Sequence, residues 1–119
     1  MPIPTFTLRK NGYSPWGQIE NIELLADGIY RVVTQSHGGI YLSPERQREF
    51  AEIAPHFLRA VELNSYAPKP AWWEEDCEAV LPLLAFWSDL PAAMRRTDYY
   101  QSMVRTANSV YALTLSEAA

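Results

Sequence analysis

Two glycine-bearing turns, Asp27-Gly28 and Gly38-Gly39, cut a run of β-favouring residues into three short segments. Asp-Gly is a strong two-residue hairpin signal, because glycine supplies the positive φ that such turns need. Segments joined this tightly can pair only antiparallel. Ile19, Ile22 and Leu24-Leu25 lead into the first turn, Ile29 to Thr34 lie between the two, and Ile40-Tyr41-Leu42 follow the second. Residues 3–9 alternate around Phe6 and Leu8 and predict a further, edge strand. Asn11 to Gly17 is dense in turn residues. The expectation is an antiparallel meander of about three to four strands across residues 3–42.

Helices should follow. Ser43 can cap, Pro44 suits the first helical position, and Glu45 favours the positive end of the helix dipole. Pro55 ends or bends that helix, and Phe57, Leu58, Val61 and Leu63 continue an apolar periodicity. Ser65 to Pro70, with two prolines, reads as a linker. From Trp72 the spacing predicts a buried helix, with Trp73, Cys77, Val80, Leu84 and Trp87 on one face. Trp72, Asp76, Ala79, Leu83 and Phe86 take the neighbouring face, and Pro82 should kink or divide the helix. A last helix is expected from about Ala92, carrying Met103, Ala107, Val110 and Tyr111 on one side. Residues 110–115 also alternate in the manner of a strand; the helical reading is preferred. The sum is one α+β domain over residues 1–119, an N-terminal antiparallel sheet packed against C-terminal helices.

Composition excludes several classes. With 119 residues, 48% hydrophobic and 20% charged, the chain is of single-domain size and folded-protein composition. A net charge of −4 and ten scattered Lys and Arg argue against direct nucleic-acid binding. A DNA-mimicking acidic face is a lesser reading than plain solubility. The single cysteine, Cys77, forms no internal disulfide and points to a reducing compartment. The longest apolar run, Ala79 to Trp87, contains Pro82 and is far short of the roughly twenty residues a bilayer demands. A soluble, cytoplasmic protein is expected.

Chemistry-bearing residues concentrate in Ser36 to Gly39 (SHGG) and Trp72 to Glu78 (WWEEDCE). Glu74, Glu75 and Asp76 would satisfy free N–H groups in a helical first turn, yet three adjacent acids exceed what capping requires. His37 with Glu75 or Asp76 is the candidate proton-transfer pair if folding joins them. As a hairpin residue, His37 has a blander role. Two histidines and no cysteine pair give no metal site and no cofactor motif; carboxylate-held Mg2+ has no support in the spacing. Cys77 follows three acids, which disfavour the thiolate, and reads as a core thiol. Trp72, Trp73, Glu74, Glu75 and His37 together form a candidate partner-binding surface, since aromatics beside charge are common at interface hot spots.

The order SPWG, then DGIYRVVTQSHGGIYLSPER, then WWEEDCEAVLPLLAF resembles an uncharacterised domain family of bacteria, phages and plasmids. That family is marked by an SHGG turn, an LSPER helix start and a W-x-EED-C element. The likeness covers about Ser14 to Phe86, with Phe50 to Pro70 matching poorly and the chain after Pro91 lying outside it. It carries no activity or cofactor, and so assigns no residue a role. What it implies is context: accessory genes of mobile elements, where many small proteins block host defence.

The expected function is therefore an interaction protein, with a homodimer allowed. It would be a phage- or plasmid-encoded inhibitor that occludes a surface of a defence complex such as a CRISPR effector or restriction enzyme. A small hydrolase built on His37, Glu75 and Asp76 is the alternative, and a scaffold subunit with purely structural motifs is the third.

Overall fold

Hairpin chemistry builds the N-terminal half. The computed structural model describes residues 6–61 and 68–117. A two-stranded ribbon comes first, β1 (Tyr13–Ser14) antiparallel to β2 (Gly17–Gln18). The Ser14 hydroxyl closes its turn, donating to the Gly17 carbonyl at 2.9 Å and accepting the Trp16 N–H at 3.1 Å. Gly17 takes φ +123°, a region L side chains rarely occupy. This turn lays the Trp16 ring onto the main sheet. Residues 6–9, expected as part of an edge strand, have no regular structure, and residues 3–5 lie outside the described residues.

The main sheet has the order β3 (Asn21–Ala26), β4 (Ile29–Val33), β5 (Gly38–Leu42), β6 (Trp72–Glu74), each neighbour antiparallel. The Asp27-Gly28 turn joins β3 to β4 with Gly28 at φ +78°, as its sequence requires. The second hairpin turns one step earlier than the glycines suggest. Thr34 and His37 bracket it, the Thr34 hydroxyl donating to the His37 carbonyl at 2.7 Å and accepting the His37 N–H at 3.2 Å. Gly38 and Gly39 lie inside β5. They are glycine because of what presses on them: a Cβ on Gly39 would collide with the Trp73 carbonyl and come within 2.6 Å of the Trp16 ring.

The doubled tryptophan is strand, not helix. Register pairs Tyr41 with Trp72, Ile40 with Trp73 and Gly39 with Glu74. Successive strand residues point to opposite faces. Trp73 therefore enters the helix-side core beside Phe50, ring centroids 4.8 Å apart, while Trp72 meets Tyr41 at 4.6 Å and Trp16 at 5.6 Å on the other face. A strand buried on both faces has no alternation to betray it, so helical periodicity from Cys77 onward captured the whole segment.

Serine 43 caps α1 (Pro44–Ile53), its hydroxyl accepting the Arg46 N–H. Pro55 then opens α2 (Pro55–Val61). Leu63 and residues 65–67 of the expected linker fall outside the described residues. After β6, residues 75–79 form turns that lead to α3 (Val80–Ala85). Pro82 neither kinks nor divides this helix. It sits in the first turn, where a missing N–H costs nothing. A single 3-10 turn, Trp87–Asp89, precedes α4 (Thr97–Tyr111). That helix starts later than Ala92 because Ala92 to Met94 form a turn. It stops at Ala112, which is left-handed at φ +55°, so residues 112–117 are neither helix nor strand. The Asn108 side chain folds this tail back, bonding both the N–H and the carbonyl of Leu115.

An α+β architecture results, with helices covering one sheet face and the N-terminal ribbon covering the other. The helix-side core runs through Ile29, Ile40, Leu42, Phe50, Trp73, Leu81 and Met103; the opposite cluster holds Trp16, Ile19, Val32, Tyr41 and Trp72. Gly39→Ala should lower stability by about 1–3 kcal/mol through overpacking against Trp16 and the Trp73 carbonyl. Urea titration reads this as a lower midpoint with unchanged slope, and an unchanged midpoint contradicts the packing described.

Candidate functional site

β6 is an edge strand, and every outward-facing backbone group along it has a partner. The Trp72 N–H donates to the Pro68 carbonyl at 3.0 Å, and the Glu74 carbonyl accepts the Ala79 N–H at 2.9 Å. Side chains complete the set. Lys69 Nζ donates to the Trp72 carbonyl at 2.7 Å, and Glu78 Oε1 accepts the Glu74 N–H at 3.2 Å. Lys69 and Glu78 also pair with each other at 2.8 Å, with side chains only 6% and 16% exposed. The ammonium lies 5.1 Å from the Trp73 ring centroid. Burial pushes the Lys69 pKa down, and the Glu78 partner opposes that shift. Unpaired edges invite further strands; here a buried ion pair closes the edge.

The same local chain displays the acids. Glu74, the last residue of β6, is half-buried, and Glu75 and Asp76 are exposed in the turn beyond it. Burial first, then a hydrogen bond to Asp76, raises the Glu74 pKa. Cys77 is half-buried, its thiol pushed up by burial and then by Glu74, Asp76 and Glu78. Tyr111, at the end of α4, is raised by burial and by Cys77, Glu78 and Glu74. The doubled-glycine strand and the acidic segment do meet: the Glu75 N–H donates to the Gly38 carbonyl at 2.9 Å, and Glu75 Oε2 lies 3.0 Å from where a Gly38 Cβ would be.

His37 does not join them through its ring. It is exposed in the bend, and among the described residues no carboxylate comes within ion-pair distance of its imidazole. Trp72 and Trp73 are buried, at 7% and 0% exposure, so the partner-facing role expected of them is corrected to a core role. The acids, and His37 separately, remain at the surface. Glu74 ends a strand and Glu75 and Asp76 follow it in a turn, so the first-turn capping expected of them has no helix to serve.

Behind the acids lies a cavity of about 280 Å³ between the sheet and α4. Ile40, Val80, Leu83 and Met103 make its apolar floor, while Arg31 and Glu75 bring opposite charges to its border. Tyr99, Ser102 and Thr106 contribute hydroxyls at helical spacing from α4. A second depression, of about 440 Å³, continues past Arg31, Tyr99 and Ser102 toward Arg96 and Asp98. Arg31, Lys69 and this hydroxyl face were not singled out in the sequence. The i, i+3, i+7 spacing of residues 99, 102 and 106 was a usable signal; the pairing of Lys69 with Glu78, nine positions on and across β6, was not. Among the described residues, no group of three or more His, Cys, Asp or Glu side chains gathers to hold a metal, and no helix is long and apolar enough to cross a membrane.

The SPWG, SHGG, SPER and WWEED segments thus form one contiguous assembly, and a family model matches residues 9–117. The chain belongs to the DUF7007 family, a domain of unknown function. The family span is wider than the Ser14 to Phe86 likeness, taking in the poorly matching stretch and the helix after Pro91. No curated protein and no solved structure matches the chain.

Two outcomes follow for this DUF7007 chain. Lys69→Met leaves the Glu78 carboxylate buried without its cation and should cost about 3–5 kcal/mol in chemical denaturation. A loss under 1 kcal/mol contradicts the burial. Glu74 holds its proton more tightly folded than unfolded, so its contribution is full below 4.5 and is lost as pH rises through the raised folded value. Glu74→Gln should accordingly raise the thermal midpoint at pH 7, with the advantage vanishing below pH 4.5.

Proposed function

We propose that this chain is a small interaction protein of a phage or other mobile element that inhibits a host defence complex by occluding one of its binding surfaces. A CRISPR effector or restriction enzyme is the class of target envisaged. The observation that carries the reading is the acidic corner: Glu74 ends β6, and the exposed Glu75 and Asp76 follow it directly. Burial first, then a hydrogen bond to Asp76 and the charges of Asp76 and Glu78, raise the Glu74 pKa, so the corner is crowded with acid. Among the described residues, Lys69 and Glu78 close the edge without bonds to Glu75 or Asp76, so closing the edge does not require this crowding. A basic surface on a partner would relieve it. Such charge complementarity speeds encounter and selects partners more than it adds affinity.

The hydrolase alternative requires His37 to orient against Glu75 or Asp76, and the geometry supports it less. Glu75 turns toward the cavity between the sheet and α4, whereas His37 meets its neighbours through backbone atoms held by Thr34. Pull-down from a defence-competent host tests the binding reading. The unaltered chain should retain a partner in low salt, and the double change Glu74→Lys with Glu75→Lys should abolish capture by reversing the corner's charge. Equal capture by both proteins would overturn the proposal.

A further inference from the structure

Arg31 and Glu75 border one cavity without neutralising each other. Both stand on the helix-side face of the sheet: Arg31 pairs in register with Ile40, Ile40 with Trp73, and Glu75 follows two residues along on the same side. Two strand spacings across and two residues along put their Cα atoms about 12 Å apart. Between them, Gly39 and Ile40 of β5 line the cavity. Arg31 is held from behind by Glu23 at 2.9 Å through Nη1, an exposed pair that orients the guanidinium and leaves its other N–H donors for a ligand. Among the described residues no ion pair joins Arg31 to Glu75.

Held-apart opposite charges above an apolar floor describe the complement of one kind of molecule. We infer that the cavity between the sheet and α4 binds a small zwitterion with an apolar body, of amino-acid or dipeptide size. Its carboxylate meets the Arg31 guanidinium, its ammonium meets the Glu75 carboxylate, and its side chain rests on Ile40, Val80, Leu83 and Met103. The Tyr99, Ser102 and Thr106 hydroxyls on α4 supply neutral hydrogen bonds along the opposite wall. The volume of about 280 Å³ lies at the lower end of ligand sites, which suits a small molecule and excludes a large one. A cation alone would engage Glu75 but not the N–H donors that Arg31 keeps beyond its Glu23 pair, and an anion alone would engage those donors but not Glu75. This site is distinct from the partner docking proposed above, although Glu75 borders both, and it needs no partner to be measured.

Isothermal titration calorimetry on the full chain, with L-leucine, L-methionine and leucyl-leucine as probes, tests it. N-acetyl-leucine and leucinamide serve as singly capped controls. At least one free zwitterion should bind, and each capped analogue should bind about tenfold more weakly, a loss typical of one charge-assisted contact. Whichever of leucine and leucyl-leucine binds tighter fixes the span between the charges. Arg31→Gln should abolish the preference for leucine over leucinamide alone, and Glu75→Gln the preference for leucine over N-acetyl-leucine alone. Both changes are at the surface and should leave the thermal midpoint nearly unaltered. No heat from any free zwitterion at 10 mM (roughly the weakest useful affinity), or equal binding of free and capped forms, would overturn the inference. Zwitterion binding with no partner captured would sink the proposed function and leave this site standing.

Discussion

A single buried ion pair decides whether the last strand of the sheet can exist. β6 is three residues long and lies at an edge. So short a strand has too few ladder bonds to hold its place by backbone pairing alone. Lys69 and Glu78 clamp it from outside, one on the Trp72 carbonyl and the other on the Glu74 N–H. Desolvating two charges is costly, and pairs of this kind stabilise only when their remaining bonds are made. Here they are made to the strand itself. Trp73 is thereby held against Phe50 and Trp72 against Tyr41, so both cores depend on the clamp.

The motifs that mark the sequence are largely two interlocking contacts. At one end of the sheet, a Cβ on Gly28 would come within 2.6 Å of the Ser43 hydroxyl, and Arg46 reaches back to the Asp27 carbonyl at 2.8 Å. The hairpin turn and the cap of α1 must therefore be chosen together. At the other end, Trp16 lies on Gly39, and the Trp73 carbonyl on the same glycine. Residues far apart in the chain are mutually restricted because their backbones approach too closely for side chains. Acidic crowding beyond β6 is the part of the pattern that such packing leaves unexplained, which is why function is sought there.

Much of the architecture could be read from residues whose local chemistry admits one outcome. Asp27-Gly28 makes a hairpin, Ser43-Pro44-Glu45 starts a helix, and Pro55 separates two. The central error has a physical origin as well. Trp72-Trp73-Glu74 is too short and too apolar on both sides to show a period of two, while the residues after it show a clean helical period. The convergence of the SHGG and acidic segments was anticipated, but the histidine ring was not part of it. Lys69 was invisible because its meaning comes from Glu78 across a turn, and a lysine between two prolines reads as exposed linker. Arg31 was hidden for a similar reason: only sheet register places it near Glu75.

The direct test of the edge clamp is residue-resolved amide hydrogen exchange along β6. Trp72 and Glu74 N–H groups point away from β5 and are protected only by the Pro68 carbonyl and the Glu78 carboxylate. If the clamp closes the edge, both should exchange as slowly as the inward Glu75 amide bonded to Gly38, and Glu78→Ala should speed Glu74 first. Rapid exchange at Trp72 and Glu74 in the unaltered protein, with Glu75 still slow, would mean an open edge and would contradict the account.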